Sequence, residues 1–93
     1  MNGTTAEKEF VIHNKLGLHA RAATRFVQTA ARFKSDVDVV KDGQIVNGKS
    51  IMGMLMLVAA KGTRLIIRAK GEDAEETLAA LGDLILMGFG EFR

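Results

Sequence analysis

Cysteine is absent from these 93 residues, so no disulfide can staple the fold and the core must form by apolar packing alone. A reducing, cytoplasmic setting is the expectation that follows. Tryptophan and tyrosine are also absent, which leaves few of the aromatic platforms on which single-stranded nucleic acid stacks. Net charge is only +2 with a pI near 9.2, too mild to imply a nucleic-acid partner. Nothing approaches the roughly 20 apolar residues of a membrane span. The opening MNGTTAEKEF is polar where a signal peptide needs an apolar stretch, so a soluble, non-secreted protein is expected; a monomer is the expected state. Low-complexity tracts, linkers and internal repeats are missing too. With 47% hydrophobic and 26% charged residues, positions 1–93 read as a single domain in which only Met1 to Ala6 is expected to be flexible.

Apolar periodicity supplies the elements. Lys8 to His13 reads as a strand with Phe10 and Ile12 on one face, followed by a turn at Asn14 to Gly17. Ala23, Phe26, Val27 and Ala30 then mark one stripe of a helix from Ala20 to about Phe33, with Arg32 and Lys34 in its last turn. Val37 and Val39 alternate with Asp36 and Asp38, and Asp42-Gly43 is a hairpin signal joining strands 36–41 and 44–47. Ser50 can cap a short helix over IMGMLML. TRLIIRAK follows as a strand with Leu65, Ile67 and Ala69 on one face and Arg64, Ile66, Arg68 and Lys70 on the other. Asp73 and Glu76 resemble a capping box for a last helix to about Met87, whose stripe is Ala74, Leu78, Leu81 and Ile85; Gly88 and Gly90 suit its exit. The order βαββαβα predicts an α+β open-faced β-sandwich: a four-stranded antiparallel sheet with three helices on one face.

Charge is placed unevenly. Between Phe10 and Ser35 there is no Asp or Glu, yet Lys15, Arg21, Arg25, Arg32, Lys34 and both histidines lie there. Arg21 and Arg25 stand in the first turns of the predicted helix, where cations oppose the dipole by roughly 0.3–1 kcal/mol each, and they are like-charged i,i+4 neighbours. A phosphate-sized anion would resolve the conflict. His19 stands at the N-cap edge after Gly17-Leu18, where outward backbone N–H groups offer an anion site. By itself His19 could be only a polar cap; the two arginines tip the reading toward chemistry.

The run NKLGLHARAATRFV at 14–27 resembles the active-site segment of the HPr/NPr phosphocarrier family of the bacterial phosphotransferase system. NGKSIMGMLML at 47–57 resembles the family's regulatory-serine segment and the helix after it. The similarity spans nearly the whole chain, and the family's fold has the element order derived above. The resemblance implies that His19 takes a phosphoryl group on Nδ1 from enzyme I, or its nitrogen-branch counterpart, and passes it to an EIIA-type domain. It implies that Arg21 contacts the phosphoryl oxygens, and that Ser50 can be a substrate of HPr kinase/phosphorylase. Leu18, Ala20, Thr24 and Arg25, with Ile51, Met52 and Leu55, would form the partner-binding surface, while Met54 and Leu57 belong to the core. No cofactor is implied. The family usually has proline where Ala22 stands; this chain contains none, which removes some preorganisation and no chemistry.

Other patterns in the chain are weaker. GQIVNGKS at 43–50 satisfies the P-loop pattern, but Gln44 to Val46 reads as a hairpin arm in an antiparallel domain, and no strand ends in an Asp for Mg²⁺. The two histidines have no acidic or thiol partner nearby in sequence, so no metal site is expected, and His13 reads as a half-exposed strand residue. A nucleic-acid module would use Arg64, Arg68 and Lys70, but Asp38 and Gln44 should share that face and dilute its field. A regulatory binding module acting through Ser50 and the apolar helix is the second functional class. The branch stays open, since NKLG and EETLAALGDLILMGFGEF look like NPr and NGKSIMGM looks like HPr.

Overall fold

Strands whose apolar residues fall at every second position can cover a core with one face and leave the other to water, and the computed structural model, which describes residues 4–90, is built that way. Its elements are β1 (Thr5–Val11), α1 (Ala20–Ala30), β2 (Asp36–Lys41), β3 (Gln44–Asn47), α2 (Ile51–Met56), β4 (Arg64–Lys70) and α3 (Ala74–Leu86), followed by a short 3-10 turn at Gly88–Gly90. The four strands pair antiparallel in the order β1-β4-β2-β3.

Ala6, Phe10, Val37, Val39, Leu65, Ile67 and Ala69 form the inner face and are buried. The helices close over it with Ala22, Ala23, Phe26 and Ala30 of α1, Met54 of α2, and Ala74, Leu81 and Ile85 of α3. Burying each large side chain contributes about 1.5–3 kcal/mol. The hairpin turn is built as Asp42-Gly43 demands, with both residues in the left-handed region at φ 48° and 82°.

On the open face acid and base alternate. Arg68 pairs across strands with Glu7 on one side and Asp38 on the other, and its Nε donates to Glu7 Oε1 at 2.8 Å. That hydrogen bond is the first cause holding the guanidinium pKa above its ordinary value. Lys70 likewise lies opposite Asp36. Gln44 does not share this face: it lies opposite Lys41, which has the parity of Val37 and Val39 and so belongs to the helix-bearing side.

Several boundaries differ from expectation. Thr5 and Ala6 are not flexible but pair with Lys70 and Ala69 in β1; residues 1–3 lie outside the described residues. The strand ends at Val11, so His13 is not a strand residue; its exposed ring donates from Nε2 to the Leu86 carbonyl at 2.8 Å. Helix α1 stops at Ala30, leaving Arg32 and Lys34 beyond it, because the chain tightens through 3-10-type bonds from Arg32 N to Thr29 O and from Phe33 N to Ala30 O.

The capping box at Asp73 does not form. Its carboxylate instead crosses to the α1–β2 turn, where it accepts from Lys34 N and Ser35 N at 2.9 Å each and from Ser35 Oγ at 2.5 Å. Three donors fixed by another element outcompete the local cap. The Ser35 hydroxyl is the largest cause, and the Lys34 N–H the next, of an Asp73 pKa lowered to about 2.

Candidate functional site

The segment before α1 is held by three backbone-directed contacts. Asn14 Nδ2 donates to Gly17 O at 2.9 Å, Gly17 N to Asn14 O at 3.1 Å, and Leu18 N to Ala59 O at 2.8 Å in the loop after α2. Gly17 is required here. Its φ is +68°, and a Cβ would stand 2.6 Å from the Ala59 carbonyl oxygen and 2.9 Å from Ala60 Cα.

Two residues on, His19 is the N-cap of α1, with extended backbone at φ −79° and ψ −179°. Its Nδ1 accepts from Arg21 N at 3.3 Å, and its carbonyl accepts from Ala23 N at 2.8 Å. The ring is half-buried, Arg21 is exposed, and no acidic residue occupies the first turn. Backbone N–H groups at a helix start, an imidazole nitrogen aimed at them and an exposed arginine make an arrangement suited to a tetrahedral oxyanion.

The residues expected around His19 separate. Ala20 is exposed and Thr24 half-buried, its hydroxyl donating to Ala20 O at 2.8 Å within the helix. Leu18 is buried at 5% exposure, so its side chain serves the core rather than a partner. Arg25 is half-buried and Nη1 donates to the Phe89 carbonyl in the C-terminal turn, so this guanidinium is committed to the fold.

Ser50 caps α2, its Oγ accepting from Gly53 N at 3.0 Å. Ile51 and Met52 are exposed, at 41% and 70%, while Leu55 is half-buried against the core and Met54 is fully inside. Sequence reasoning missed Met56 and Val58, exposed at 63% and 76%. The position of Met56, four residues after Met52, puts both on one side of a helix and could have revealed it; Val58 carries no such signal. Among the described residues, no group of three or more His, Cys, Asp or Glu could hold a metal ion, and no helix is long and apolar enough to cross a membrane.

Comparison with known proteins gives one family. Residues 6–86 match the family model for the PTS HPr component phosphorylation site. Phosphocarrier protein HPr of Neisseria meningitidis serogroup A is 58% identical over 80 residues, covering 86% of this chain and 90% of that protein. Among solved structures, HPr-C-His from Thermoanaerobacter tengcongensis superposes with a TM-score of 0.92 at 48% identity, covering 95% of this chain and 99% of that one. HPr from Bacillus anthracis str. Ames gives 0.85 at 43% identity, covering 88% and 98%. With the sheet topology, the helix order and these matches in agreement, the chain belongs to HPr, the phosphocarrier proteins of the phosphotransferase system.

Proposed function

We propose that His19 receives a phosphoryl group from enzyme I, itself charged by phosphoenolpyruvate, and delivers it to an EIIA-type domain in the cytoplasm. The observation that carries this reading is the contact between His19 Nδ1 and Arg21 N. At 3.3 Å it is long for an N–H donor, so little is lost when it is replaced. With the imidazole proton on Nε2, the Nδ1 lone pair attacks phosphorus, an N–P bond forms and the donor's bond to phosphorus breaks. The Arg21 N–H then turns from the ring nitrogen to a phosphoryl oxygen, and the Arg21 guanidinium supplies a second, charge-assisted contact. Delivery is the reverse sequence on a new acceptor. Ile51, Met52 and Leu55 supply the apolar part of the docking surface, where flexible methionine suits partners met in turn.

Ser50 is the regulatory position in this reading. A phosphate there would add about −1.5 to −2 charges beside Ile51 and Met52 and oppose the docking of acidic partners, without unfolding a helix whose N-terminus welcomes negative charge.

The test is incubation with phosphoenolpyruvate and enzyme I of either branch, scoring acid-labile, base-stable label. His19→Ala is expected to abolish it, and Arg21→Ala to slow its appearance. Equal labelling of wild type and His19→Ala would reject the acceptor. Acid-stable label from ATP and an HPr kinase should disappear with Ser50→Ala.

A further inference from the structure

We propose that Lys41, at the far end of β2, is a positioning residue for the His19 loop, acting through the turn after α2. This rests on the reading of His19 as acceptor. Lys41 has the parity of Val37 and Val39, so it reaches from the sheet toward the helices. Its half-buried Nζ donates to the Leu57 carbonyl at 2.8 Å and lies 3.4 Å from the Val58 carbonyl, at the C-terminal end of α2. A cation there meets carbonyls that the helix leaves without intrahelical partners and faces the negative end of its dipole.

The turn so held is one the chain would not adopt unaided. Val58 has φ 50°, in the left-handed region that β-branched residues rarely enter. At 76% exposure, burial of its side chain does not explain the conformation. What the conformation achieves is to aim the next carbonyl. Ala59 O accepts from Leu18 N, the residue before His19, and the same oxygen and Ala60 Cα form the surface on which Gly17 rests. The ammonium thus fixes two carbonyls, the fixed turn presents the third, and the third seats the loop that carries the imidazole. Strain sustained by surrounding contacts next to a reactive group is a recurrent device of functional sites.

The experiment compares amide hydrogen exchange with phosphoryl acceptance in four proteins: wild type, Lys41→Met, Lys41→Arg, and Lys41→Met combined with Val58→Gly. In Lys41→Met, exchange of the Leu18 amide should accelerate about ten-fold, the scale of losing one charge-assisted hydrogen bond. The amides of Leu65 and Ile67 in β4 should be unchanged. Acceptance from enzyme I, measured well below the unfolding transition, should fall about three- to ten-fold in the same variant on the same energetic grounds. Lys41→Arg keeps cation and donor and should restore most of both. Val58→Gly should also restore both, because glycine takes φ 50° without a clamp.

Leu18 exchange equal to wild type in Lys41→Met overturns the proposal. So does acceleration shared equally by the β4 amides, an unchanged acceptance rate, or failure of Val58→Gly to recover it. Labelling of His19→Ala would instead sink the acceptor assignment, and the Leu18 exchange data would still report on the clamp.

Discussion

Gly17→Ala measures how closely the His19 loop is seated on the turn after α2. Placing a Cβ at φ +68° costs about 1–2 kcal/mol for the left-handed conformation alone. The new methyl would also stand 2.6 Å from Ala59 O and 2.9 Å from Ala60 Cα, both backbone atoms that cannot swing aside as a side chain can. The loop must lift, and the 2.8 Å bond from Leu18 N to Ala59 O is lost with it, about 1 kcal/mol more. The total is about 2–3 kcal/mol. Gly62→Ala is the matched control: its φ is +92°, but nothing lies within 4 Å of the added Cβ, so only the conformational cost of about 1–2 kcal/mol applies. In a domain this small each kcal/mol moves Tm by about 4–8 °C. Urea unfolding should place Gly17→Ala below Gly62→Ala by about 1 kcal/mol, and Gly17→Ala alone should slow phosphoryl acceptance at a temperature where both are folded. Equal destabilisation, or an unslowed Gly17→Ala, would refute the seating argument.

Ser50→Ala removes the acceptor for Gly53 N from a helix only six residues long, and urea unfolding should report a loss of about 1 kcal/mol, whereas Ser50→Asp, which keeps a capping oxygen, should lose less. Asp73→Asn should make stability less dependent on acid. Because the folded pKa is lowered to about 2, chiefly by the Ser35 hydroxyl, the carboxylate's contribution is fully present above its unfolded value near 3.9 and is lost as pH falls through the folded value. The gap between wild-type and Asp73→Asn unfolding midpoints should be constant above about pH 5 and shrink between about pH 4 and pH 2; a gap unchanged across that window would remove the role given to this carboxylate.

The fold was legible where a side chain's own neighbours decide its place. Alternation exposed β2 and β4, Asp42-Gly43 marked the hairpin and with it β3, and Ser50 sits at the cap that its hydroxyl suggested. What failed depended on a distant partner. Asp73 looks like a helix cap until Lys34 N and Ser35 N arrive from another element, and the same pair of bonds accompanies the early end of α1. Strand order was likewise invisible, because the register of β4 between β1 and β2 is set by which faces pack together. At the site, His19 and Arg21 could be picked out by a gap in negative charge. Arg25 could not be separated from Arg21 on the same grounds, since only the C-terminal turn supplies the Phe89 carbonyl that claims it.

That division between the two arginines bears on how a carrier can work at all. A group that must be accepted and surrendered cannot be held by many contacts, because contacts equally strong with and without transfer deepen the well without lowering the barrier. Here the rigid bonds are spent one step away from the chemistry: Arg25 on the C-terminal turn, Leu18 N on Ala59, Asn14 on Gly17. Nδ1 of His19 accepts a long hydrogen bond, 3.3 Å, from Arg21 N, and the Arg21 side chain stays exposed. Stiffness in the supports and slackness at the proposed acceptor atom are separate requirements, and in this chain they fall on separate residues. A substitution in the supports should therefore slow both acceptance and delivery, whereas one at Arg21 should shift the balance between holding the phosphoryl group and releasing it.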